Sequence, residues 1–330
     1  MLENKKFIDL FAGIGGFRLA LESFGACCTF SSEWDKYAQQ VYANNFGEIP
    51  AGDITQIPAS SIPEHDILCG GFPCQPFSIS GKQKGFEDTR GTLFFDIARI
   101  IAFHNPKILF LENVRNFATH DDGKTLQIVN KTLQDLGYTI FHKVLNASYF
   151  GLAQNRERIY IVGFRNDLSI SKFEFPQNQN IPINVKDIIL PDTETQKYII
   201  ERDDIVLNNN VSIKKDMFGN FPLEPIRIGT INKGGQGERI YHELGHAITL
   251  SAHGGGIGAK TGVYIINQKI RKLAPRECAR LQGFPDSFIL DNSDNQAYKQ
   301  LGNSVPINVL KAILKSINKV LITKEEYALY

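Results

Sequence analysis

The first half of the chain alternates short apolar runs with longer amphipathic stretches, and this alternation constrains the fold more than any other feature. β-Branched and aromatic runs predict strands at 6–11, 27–31, 67–70, 108–111 and 159–164. Apolar residues recurring every three to four positions predict helices at 16–24, 37–45, 93–103 and 125–136. Regular alternation of this kind is typical of an α/β protein, whose parallel sheet is covered by helices on both faces.

The second half follows a different pattern. Asn, Gln and Pro cluster at 177–184, loop-forming residues recur at 208–225, and glycines crowd together at 233–239 and 253–256. A helical pattern returns from about 275 and continues to the C-terminus. The chain is therefore predicted to form an α/β domain from 1–186, completed by 275–330, with a smaller, loop-rich domain at 187–274.

Composition limits the protein class. Of 330 residues, 42% are hydrophobic and 22% charged, as in ordinary globular proteins. There is no signal-peptide core and no uninterrupted apolar run long enough for a membrane helix, so we expect neither secretion nor membrane insertion. The chain has five cysteines, an odd number without paired spacing: Cys27, Cys28, Cys69, Cys74 and Cys278. This favours a reducing cytoplasm over a disulfide framework.

Positive charge is segregated rather than abundant. The formal net charge is only +1, yet residues 227–272 contain seven Lys or Arg against two Asp or Glu, an excess of 7 − 2 = 5, together with three of the seven histidines. A nucleic-acid site would therefore lie in this segment. The alternative is a solvated basic face.

A glycine turn follows the first predicted strand, in the sequence Phe7-Ile-Asp-Leu-Phe-Ala-Gly-Ile-Gly-Gly16. Strand, glycine turn and helix in this order let backbone approach a nucleotide-like ligand closely. The Gly13-x-Gly15-Gly16 spacing is not the dinucleotide fingerprint, which favours a cofactor smaller than a dinucleotide. A purely structural turn is the alternative.

Three residues near this turn are candidates for holding an adenosine. Glu33 follows the second predicted strand at the interval where α/β proteins place an acid on ribose hydroxyls. Trp34 beside it could cover an adenine face, and Asp53 could accept from an adenine amino group. Taken singly, each acid could be a solvated surface group and the tryptophan a core residue.

The most informative stretch is Gly70-Gly-Phe-Pro-Cys-Gln-Pro-Phe-Ser78. Cys74 comes just after a predicted strand and before a glycine-containing loop, where an exposed nucleophile belongs. A lone cysteine is more often a small buried hydrophobe, and the other four fit that description. Metal binding by Cys69 and Cys74 is not expected, because no companion Cys/His pair accompanies them.

Five ordered motifs together resemble the cytosine-5 DNA methyltransferase family. They are Phe11-Ala-Gly-Ile-Gly-Gly16, Pro73-Cys-Gln-Pro-Phe-Ser78, Glu112-Asn-Val114, Gln154-Asn-Arg-Glu-Arg158 and Gly302-Asn-Ser304. The resemblance covers nearly the whole chain and implies a Rossmann-like, S-adenosylmethionine-dependent methyltransferase sheet with a smaller target-recognition domain. It extends into the variable region, where it is similar to enzymes that recognise GCGC.

The resemblance implies a catalytic set. Cys74 would add to C6 of a cytosine, which makes C5 nucleophilic enough to be methylated. Glu112 would hold the N3 edge and the exocyclic amine, Arg158 would hold O2, and Arg156 would support the same pocket. Without Cys74, Glu112 and Arg158 could equally be an ordinary strand-end carboxylate and a surface cation.

The implied cofactor is S-adenosylmethionine, which is spent as S-adenosylhomocysteine, and no metal is required. Its contacts, carried over by resemblance, are Phe11, Gly13, Gly15, Gly16, Glu33, Trp34, Asp53, Ile54, Pro73, Leu93 and Asn303.

The implied partner is double-stranded DNA, from which the target base must be flipped to expose C6. Residues 75–90 would close over the base, with hinge glycines and phosphate-binding cations, or would be a basic loop without a catalytic step. The implied DNA contacts are Ser80, Lys82, Arg90, Gln236, Arg239, Thr249, Gly255 and Gly256. Ser80 and Gln236 would fill the vacated space, and Arg239 would read a guanine.

Two departures bear on the target sequence, because 208–222 is longer than in the GCGC enzymes and His253 replaces an aromatic residue.

Three other functions remain open: a flavin or nicotinamide oxidoreductase, a catalytically inactive DNA-binding homologue, and an RNA cytosine-5 methyltransferase. A cytoplasmic bacterial monomer, with a possible cognate restriction endonuclease acting on the same site, is the expected setting.

Overall fold

The computed structural model describes residues 1–73, 93–208, 210–254 and 256–327. The chain forms two compact units: the first contains Met1–Leu145, Glu157–Pro176 and Leu310–Tyr330, and the second Asn146–Arg156 and Gln177–Val309. The predicted catalytic and recognition domains have other boundaries, and that functional division stays a prediction. Among the described residues, no helix is long and apolar enough to cross a membrane.

The first unit is built on a six-stranded sheet with strand order β2-β1-β3-β4-β6-β5. Its strands are β1 (Lys6–Leu10), β2 (Cys27–Ser32), β3 (Ile67–Gly71), β4 (Ile108–Val114), β5 (Tyr138–Asn146) and β6 (Glu157–Arg165). Strands β1 to β4 pair in parallel, whereas β6 runs antiparallel to β4. The carboxyl ends of four strands and the beginning of a fifth therefore meet at one edge.

The helices are α1 (Gly16–Glu22), α2 (Lys36–Phe46), α3 (Leu93–His104), α4 (Lys124–Asp135), α5 (Asp192–Thr195), α6 (Pro275–Gln282), α7 (Asp294–Asn303) and α8 (Ile307–Tyr327). Both faces of the first sheet are covered. Leu109 and Leu111 pack in one core cluster with apolar residues of α3 and α4. Phe110, between them, faces the other way and meets Phe17 of α1 with 5.1 Å between ring centroids.

The five predicted strands and four predicted helices of this unit are confirmed within a few residues at each end. One strand, β6, departs from the predicted parallel arrangement, because it returns antiparallel to β4. Its connection from β5 contains only a 3₁₀ turn, Ala147–Phe150, and lacks the crossover helix that a parallel return needs. Strand β5 was not predicted, because its polar and apolar residues do not alternate cleanly.

The second unit contains a smaller sheet with strand order β11-β10-β9-β8-β7. Its strands are β7 (Ile205–Leu207), β8 (Arg227–Ile231), β9 (Arg239–His242), β10 (Val263–Ile266) and β11 (Lys269–Lys272). Its core is formed by short aliphatic side chains, chiefly Ile228, Ile231, Ile240 and Val263. The loop-rich, weakly helical character predicted for this part of the chain is confirmed.

Candidate active site

Glu112 and Arg158 form an ion pair at the edge where β4 ends and β6 begins. Arg158 Nε lies 3.1 Å from Glu112 Oε1, and the arginine and glutamate side chains are only 12% and 9% exposed. Arg158 is paired in register with Val114, and Glu112 with Tyr160, so the antiparallel return of β6 sets the arginine diagonally opposite the carboxylate. A charged donor and acceptor are thus held side by side, partly shielded from water, where electrostatic interactions are stronger than at an exposed surface.

Asn113 anchors the neighbouring strand end. Its side-chain Nδ2 donates to the carbonyl of Phe72 at 2.9 Å, and its Oδ1 accepts from the Val114 N–H at 2.8 Å. Phe72 and Pro73 lead directly into Cys74, and Gly71 is paired in register with Glu112. The segment preceding the predicted nucleophile is therefore tied to the strand that carries the predicted acid.

The glycine turn after β1 is bonded to the end of β2. The Gly13 N–H donates to Glu33 Oε2 at 2.8 Å, and the Ala12 N–H donates to the Ser32 carbonyl at 2.9 Å. Phe11, Gly13 and Gly15 have φ values of 55°, 54° and 89°, a left-handed conformation that glycine adopts readily and that is strained only at Phe11. Glu33 Oε1 also accepts from the Asp35 N–H at 2.8 Å. Burial raises the pKa of the Glu33 carboxyl, although the hydrogen bonds from the Asp35 and Gly13 N–H groups act in the opposite direction.

The predicted adenosine contacts lie together beside this turn. The Glu33 N–H bonds to the Ala51 carbonyl at 2.9 Å, which brings the segment containing Asp53 next to the end of β2. Trp34 is 79% exposed and Ile54 is buried at 3%. Asp53 caps a short 3₁₀ turn, Ile54–Gln56, and is exposed. Leu93 begins α3 and is half-buried, and Pro73 is exposed.

These residues fit the adenosine half of S-adenosylmethionine. An exposed indole face, an exposed carboxylate and a buried carboxylate with remaining lone pairs are the groups that an adenine and a ribose require. A Cβ added to Gly13 would meet nothing within 4 Å, so open space adjoins the backbone of the turn. The donor set and the free space are thus compatible with the cofactor that the sequence resemblance implies.

A buried acid lies on β1, immediately before the glycine turn. Asp9 of β1 is 1% exposed, and the Sγ of Cys69 lies 3.8 Å from its Oδ1. Burial raises the pKa of the Asp9 carboxyl to about 8, against the charge of Arg18 and a bond from the Arg18 backbone N–H. Burial likewise raises the pKa of the Cys69 thiol, which is inert packing rather than a nucleophile.

The second unit brings several predicted DNA contacts together. Gln236 lies exposed in a 3₁₀ turn, Gln236–Glu238, that leads into β9. The Gly258 N–H bonds to the Gly237 carbonyl at 2.8 Å, so the glycine-rich segment folds against this turn, and Gly256 adjoins Gly237. Arg239, at the start of β9, is half-buried, and its Nε meets no hydrogen-bond acceptor among the described residues.

Other predicted residues of the second unit are held by its own backbone. Thr249 is exposed and its hydroxyl donates to the Asn155 carbonyl at 2.6 Å. Asn303 ends α7 and is exposed. Arg156, predicted to support the catalytic pocket, is 1% exposed and donates to backbone carbonyls of this unit.

Some predictions fall outside the described residues. These are Cys74, Ser80, Lys82, Arg90 and Gly255, together with the closing loop at 75–90. Conversely, sequence reasoning assigned no role to Asn113, Gln154 or Gln282, although the first two lie inside quoted motifs. Their roles depend on contacts between residues far apart in sequence, and Gln282 carried no local signal.

Comparisons with known proteins agree with this geometry. A family model described as C-5 cytosine-specific DNA methylase matches residues 5–319. Type II methyltransferase M.HhaI of Haemophilus parahaemolyticus is 58% identical over 97% of this chain and 96% of its own length. Type II methyltransferase M.HaeII of Haemophilus aegyptius is 46% identical over 96% of this chain and 93% of its own length.

A solved structure of a mutant of Spodoptera frugiperda DNMT2 shares the fold, with a TM-score of 0.72 at 20% identity over 95% of this chain and 99% of that one. The S. pombe Dnmt2 methyltransferase matches with a TM-score of 0.71, also at 20% identity, over 96% of this chain and 99% of that one. At this identity the likeness establishes the architecture alone. The family model and the similar sequences go further: this chain belongs to the C-5 cytosine-specific DNA methylase family and is a DNA (cytosine-5-)-methyltransferase.

Proposed function

We propose that this chain is a type II DNA methyltransferase that uses Cys74 to methylate a flipped-out cytosine within GCGC. The observation that carries the proposal is the Glu112–Arg158 ion pair, held at the sheet edge beside the strand that leads into Cys74. The 58% identity to M.HhaI, spread over nearly the whole chain, supports the type II assignment. The sequence resemblance of the variable segment supports the GCGC target.

The chemistry is divided among the residues of this edge. The Cys74 thiolate forms a bond to C6 of cytosine, and the C5–C6 double bond gives up its electron pair to make C5 nucleophilic. Glu112 holds the N3 edge and the exocyclic amine as charge develops on the ring, while Arg158 binds O2. After methylation, a base removes the C5 proton and the electron pair of that bond expels Cys74. C6 is inaccessible in a stacked duplex, so the base must first be flipped out.

S-adenosylmethionine, when bound, supplies an electrophilic methyl group on a sulfonium sulfur and leaves as S-adenosylhomocysteine. We propose that Glu33 holds the ribose, that Trp34 and Ile54 flank the adenine, and that Asp53 accepts from its amino group. The glycine turn from Phe11 to Gly16, with Pro73, Leu93 and Asn303, completes the site. The bond from Gly13 to Glu33 supports this, since it joins turn and acid into one surface.

For DNA recognition, we propose that 187–274 is the target-recognition domain and that 1–186 with 275–330 is catalytic. Arg239 reads a guanine, Gln236 and Ser80 fill the space left by the target base, and Thr249, Gly255 and Gly256 contact its neighbours. Lys82 and Arg90 bind phosphates. The position of Arg239 directly after the Gln236 turn, and the fold of the glycine-rich segment onto that turn, support this interface.

The proposed setting is a monomer in the bacterial cytoplasm, where the enzyme protects GCGC sites from a cognate restriction endonuclease. Bisulfite sequencing of plasmid DNA from cells expressing the protein tests base and sequence context together. We expect protected cytosines at GCGC and none with Cys74→Ser. Protection at another sequence would replace the target, and its complete absence would reject the activity.

A trapping experiment tests the nucleophile directly. With S-adenosylmethionine present, a 5-fluorocytosine at the target can be methylated, but its C5 fluorine cannot leave as the proton does. Cys74 should therefore remain bound, and the adduct should survive denaturing electrophoresis. Cys74→Ser should give no adduct while S-adenosylhomocysteine binding persists. A Cys74→Ser variant with full methyl transfer would remove Cys74 from the mechanism.

A further inference from the structure

Three polar side chains are fully buried in the core of the second unit. Gln154, Arg156 and Gln282 are 0%, 1% and 0% exposed. We call them the Gln-Arg-Gln cluster. Polar groups at such depth are costly unless they are hydrogen-bonded, so their partners indicate what they do.

Arg156 binds backbone carbonyls of two segments far apart in sequence. Its Nη1 donates to the Leu250 carbonyl at 3.0 Å. Its Nη2 donates to the carbonyls of Gly302 at 3.0 Å and Ser304 at 2.6 Å. One guanidinium therefore joins the 249–252 segment to the 301–304 segment, and its planar fork fixes their separation.

The two glutamines bond the same segments a second time. Gln154 Oε1 accepts from the Leu250 N–H at 3.0 Å, and its Nε2 donates to the Leu281 carbonyl at 3.0 Å. Gln282 Nε2 donates to the Leu301 carbonyl at 2.7 Å. Gln154 Nε2 also approaches Gln282 Oε1 at 3.4 Å, which connects the cluster internally.

The two segments also pack backbone to backbone. A Cβ added to Gly302 would overlap the main chain of Ser251 and Ala252, so only glycine permits this approach. Each segment exposes one residue assigned to ligand binding: Thr249 to DNA and Asn303 to the cofactor. The cluster lies beneath both exposed residues and binds the backbone beside each of them.

We propose that Arg156, Gln154 and Gln282 are positioning residues, which hold Asn303 and Thr249 at a fixed separation for cofactor and DNA. This inference rests on the proposed function and assigns Arg156 a different task from the pocket support implied by the sequence. Gln282 gains a role that no motif suggested. Both terminal nitrogens of Arg156 donate to backbone carbonyls, and the side chain is only 1% exposed. Arg156 therefore holds the backbone that presents the ligand contacts.

The test uses two conservative variants of the full-length protein. Arg156→Lys keeps the charge but loses the fork, and Gln282→Met keeps the volume but loses the amide. Arg280→Lys is the matched control, because Arg280 also lies on α6 and donates to the Ile188 carbonyl at 3.0 Å, yet binds neither segment among the described residues. Calorimetry with S-adenosylhomocysteine, without DNA, gives the Kd. Steady-state methylation at varied DNA concentration gives the KM for DNA, and single-turnover methylation gives the rate at saturating cofactor.

We expect Arg156→Lys and Gln282→Met each to raise the Kd for S-adenosylhomocysteine and the KM for DNA by about three- to tenfold, as the loss of buried hydrogen bonds would. The saturated single-turnover rate should stay within about threefold of the parent rate, because only alignment is impaired. Arg280→Lys should change neither constant. Hydrogen exchange should accelerate at 249–252 and 301–304 in the two cluster variants.

Unchanged binding constants in both variants, with a parent protein that binds S-adenosylhomocysteine and methylates DNA, would overturn the positioning role alone. A lowered saturated rate with normal Kd in Arg156→Lys would also overturn it and make Arg156 catalytic. A parent protein that neither binds S-adenosylhomocysteine nor methylates DNA would reject the proposed function and this inference together. Gln282→Met is the milder change, so it keeps the test decisive if Arg156→Lys does not fold.

Discussion

At the scale of single residues, the Glu112–Arg158 pair shows how this protein holds charge ready for a substrate. The two side chains neutralise each other across 3.1 Å while remaining largely shielded from solvent. In the proposed mechanism, a base that enters this edge meets donors and acceptors already oriented, so little reorganisation is needed when charge develops on the ring.

Glu112→Gln tests this arrangement. The amide keeps the shape but can neither carry the negative charge nor share a proton with the ring. We expect the single-turnover methylation rate to fall by about 10²- to 10⁴-fold, while the Kd for S-adenosylhomocysteine stays nearly unchanged. Glu157→Gln is the control, because Glu157 neighbours Arg158 in sequence but pairs with the exposed Arg115. Equal reductions in the two variants would remove the special role of Glu112.

Asp9 gives a prediction about pH. Its folded-state pKa, about 8, lies above the ordinary value of 3.8, so the folded protein retains a proton that the unfolded chain has released. This group therefore contributes stability at low pH that is lost as pH rises from about 4 to 8. Asp9→Asn cannot titrate. Between pH 6 and 8, the free energy of unfolding should fall more steeply with pH in the parent than in Asp9→Asn, by up to about 1.4 kcal/mol per pH unit.

Denaturant titrations at pH 6, 7 and 8 measure that difference in slope. Parallel slopes in the two proteins would mean that Asp9 is ionised in the folded state, with Arg18 compensating for its burial. Asp66→Asn is a suitable control: the hydrogen bond from Lys107 lowers the pKa of this carboxyl against its desolvation, so it titrates below this pH window.

At the scale of elements, the glycine turn between β1 and α1 is held in a conformation that ordinary residues avoid. Gly15 has φ 89°, and a Cβ there would collide with the ring of Phe46 and approach Tyr42 at 3.2 Å. Gly47 at the end of α2 has a similar φ of 75°, but a Cβ there meets nothing within 4 Å. Substituting each glycine by alanine therefore separates the cost of left-handed backbone strain, present at both positions, from the cost of overpacking, present only at Gly15.

We expect Gly47→Ala to lower the free energy of unfolding by about 1 to 2 kcal/mol, the cost of left-handed strain. Gly15→Ala should cost about 1 to 3 kcal/mol more, because Phe46 must move. It should also weaken S-adenosylhomocysteine binding, since the turn that carries Gly13 is displaced. Guanidinium denaturation and calorimetry measure both effects. Equal destabilisation in the two variants would show that the Phe46 clash is easily relieved.

The elements that could be predicted from sequence are those whose signal is local. Strands β1, β3 and β4 are largely buried apolar runs and α1 to α4 carry an apolar face, so each was recognisable without its neighbours. Strand β5 is half-buried along most of its length, and this partial exposure blurred its pattern. The direction of β6 depends on its pairing with β4, which no local run of residues encodes.

The same distinction holds for the candidate site. Glu33 and Asp53 could be proposed because each follows a strand or a short extended stretch, and parallel strand ends converge on one edge. Glu112 was proposed from the family resemblance of its motif. Asn113 could not, because its hydrogen bond to Phe72 joins residues 41 positions apart. Gln282 reaches Gln154 across 128 positions, so only the folded chain reveals that pair.

At the scale of the whole molecule, affinity for DNA must come from charge concentrated in one region, because the net charge is only +1. Replacing Lys233 and Lys260 by Gln should weaken binding to all duplexes alike and make log K less dependent on log salt, by about one unit of slope for each lysine that binds a phosphate. Lys311→Gln with Lys315→Gln, both exposed on α8, is the matched control. Equal slopes for the two double variants would place the phosphate-binding groups elsewhere.

One of the four points at which the chain passes between the two compact units falls between Arg156 and Glu157. Two arginines separated by a single residue therefore serve different bodies: Arg156 bonds within the second and Arg158 pairs within the first. Lengthening the chain by one amino acid at this junction would turn either Arg156 or Arg158 away from its partners, and no change of side chain could restore both. The number of residues between these two arginines is thus a stricter requirement of the fold than the identity of Glu157, which lies between them.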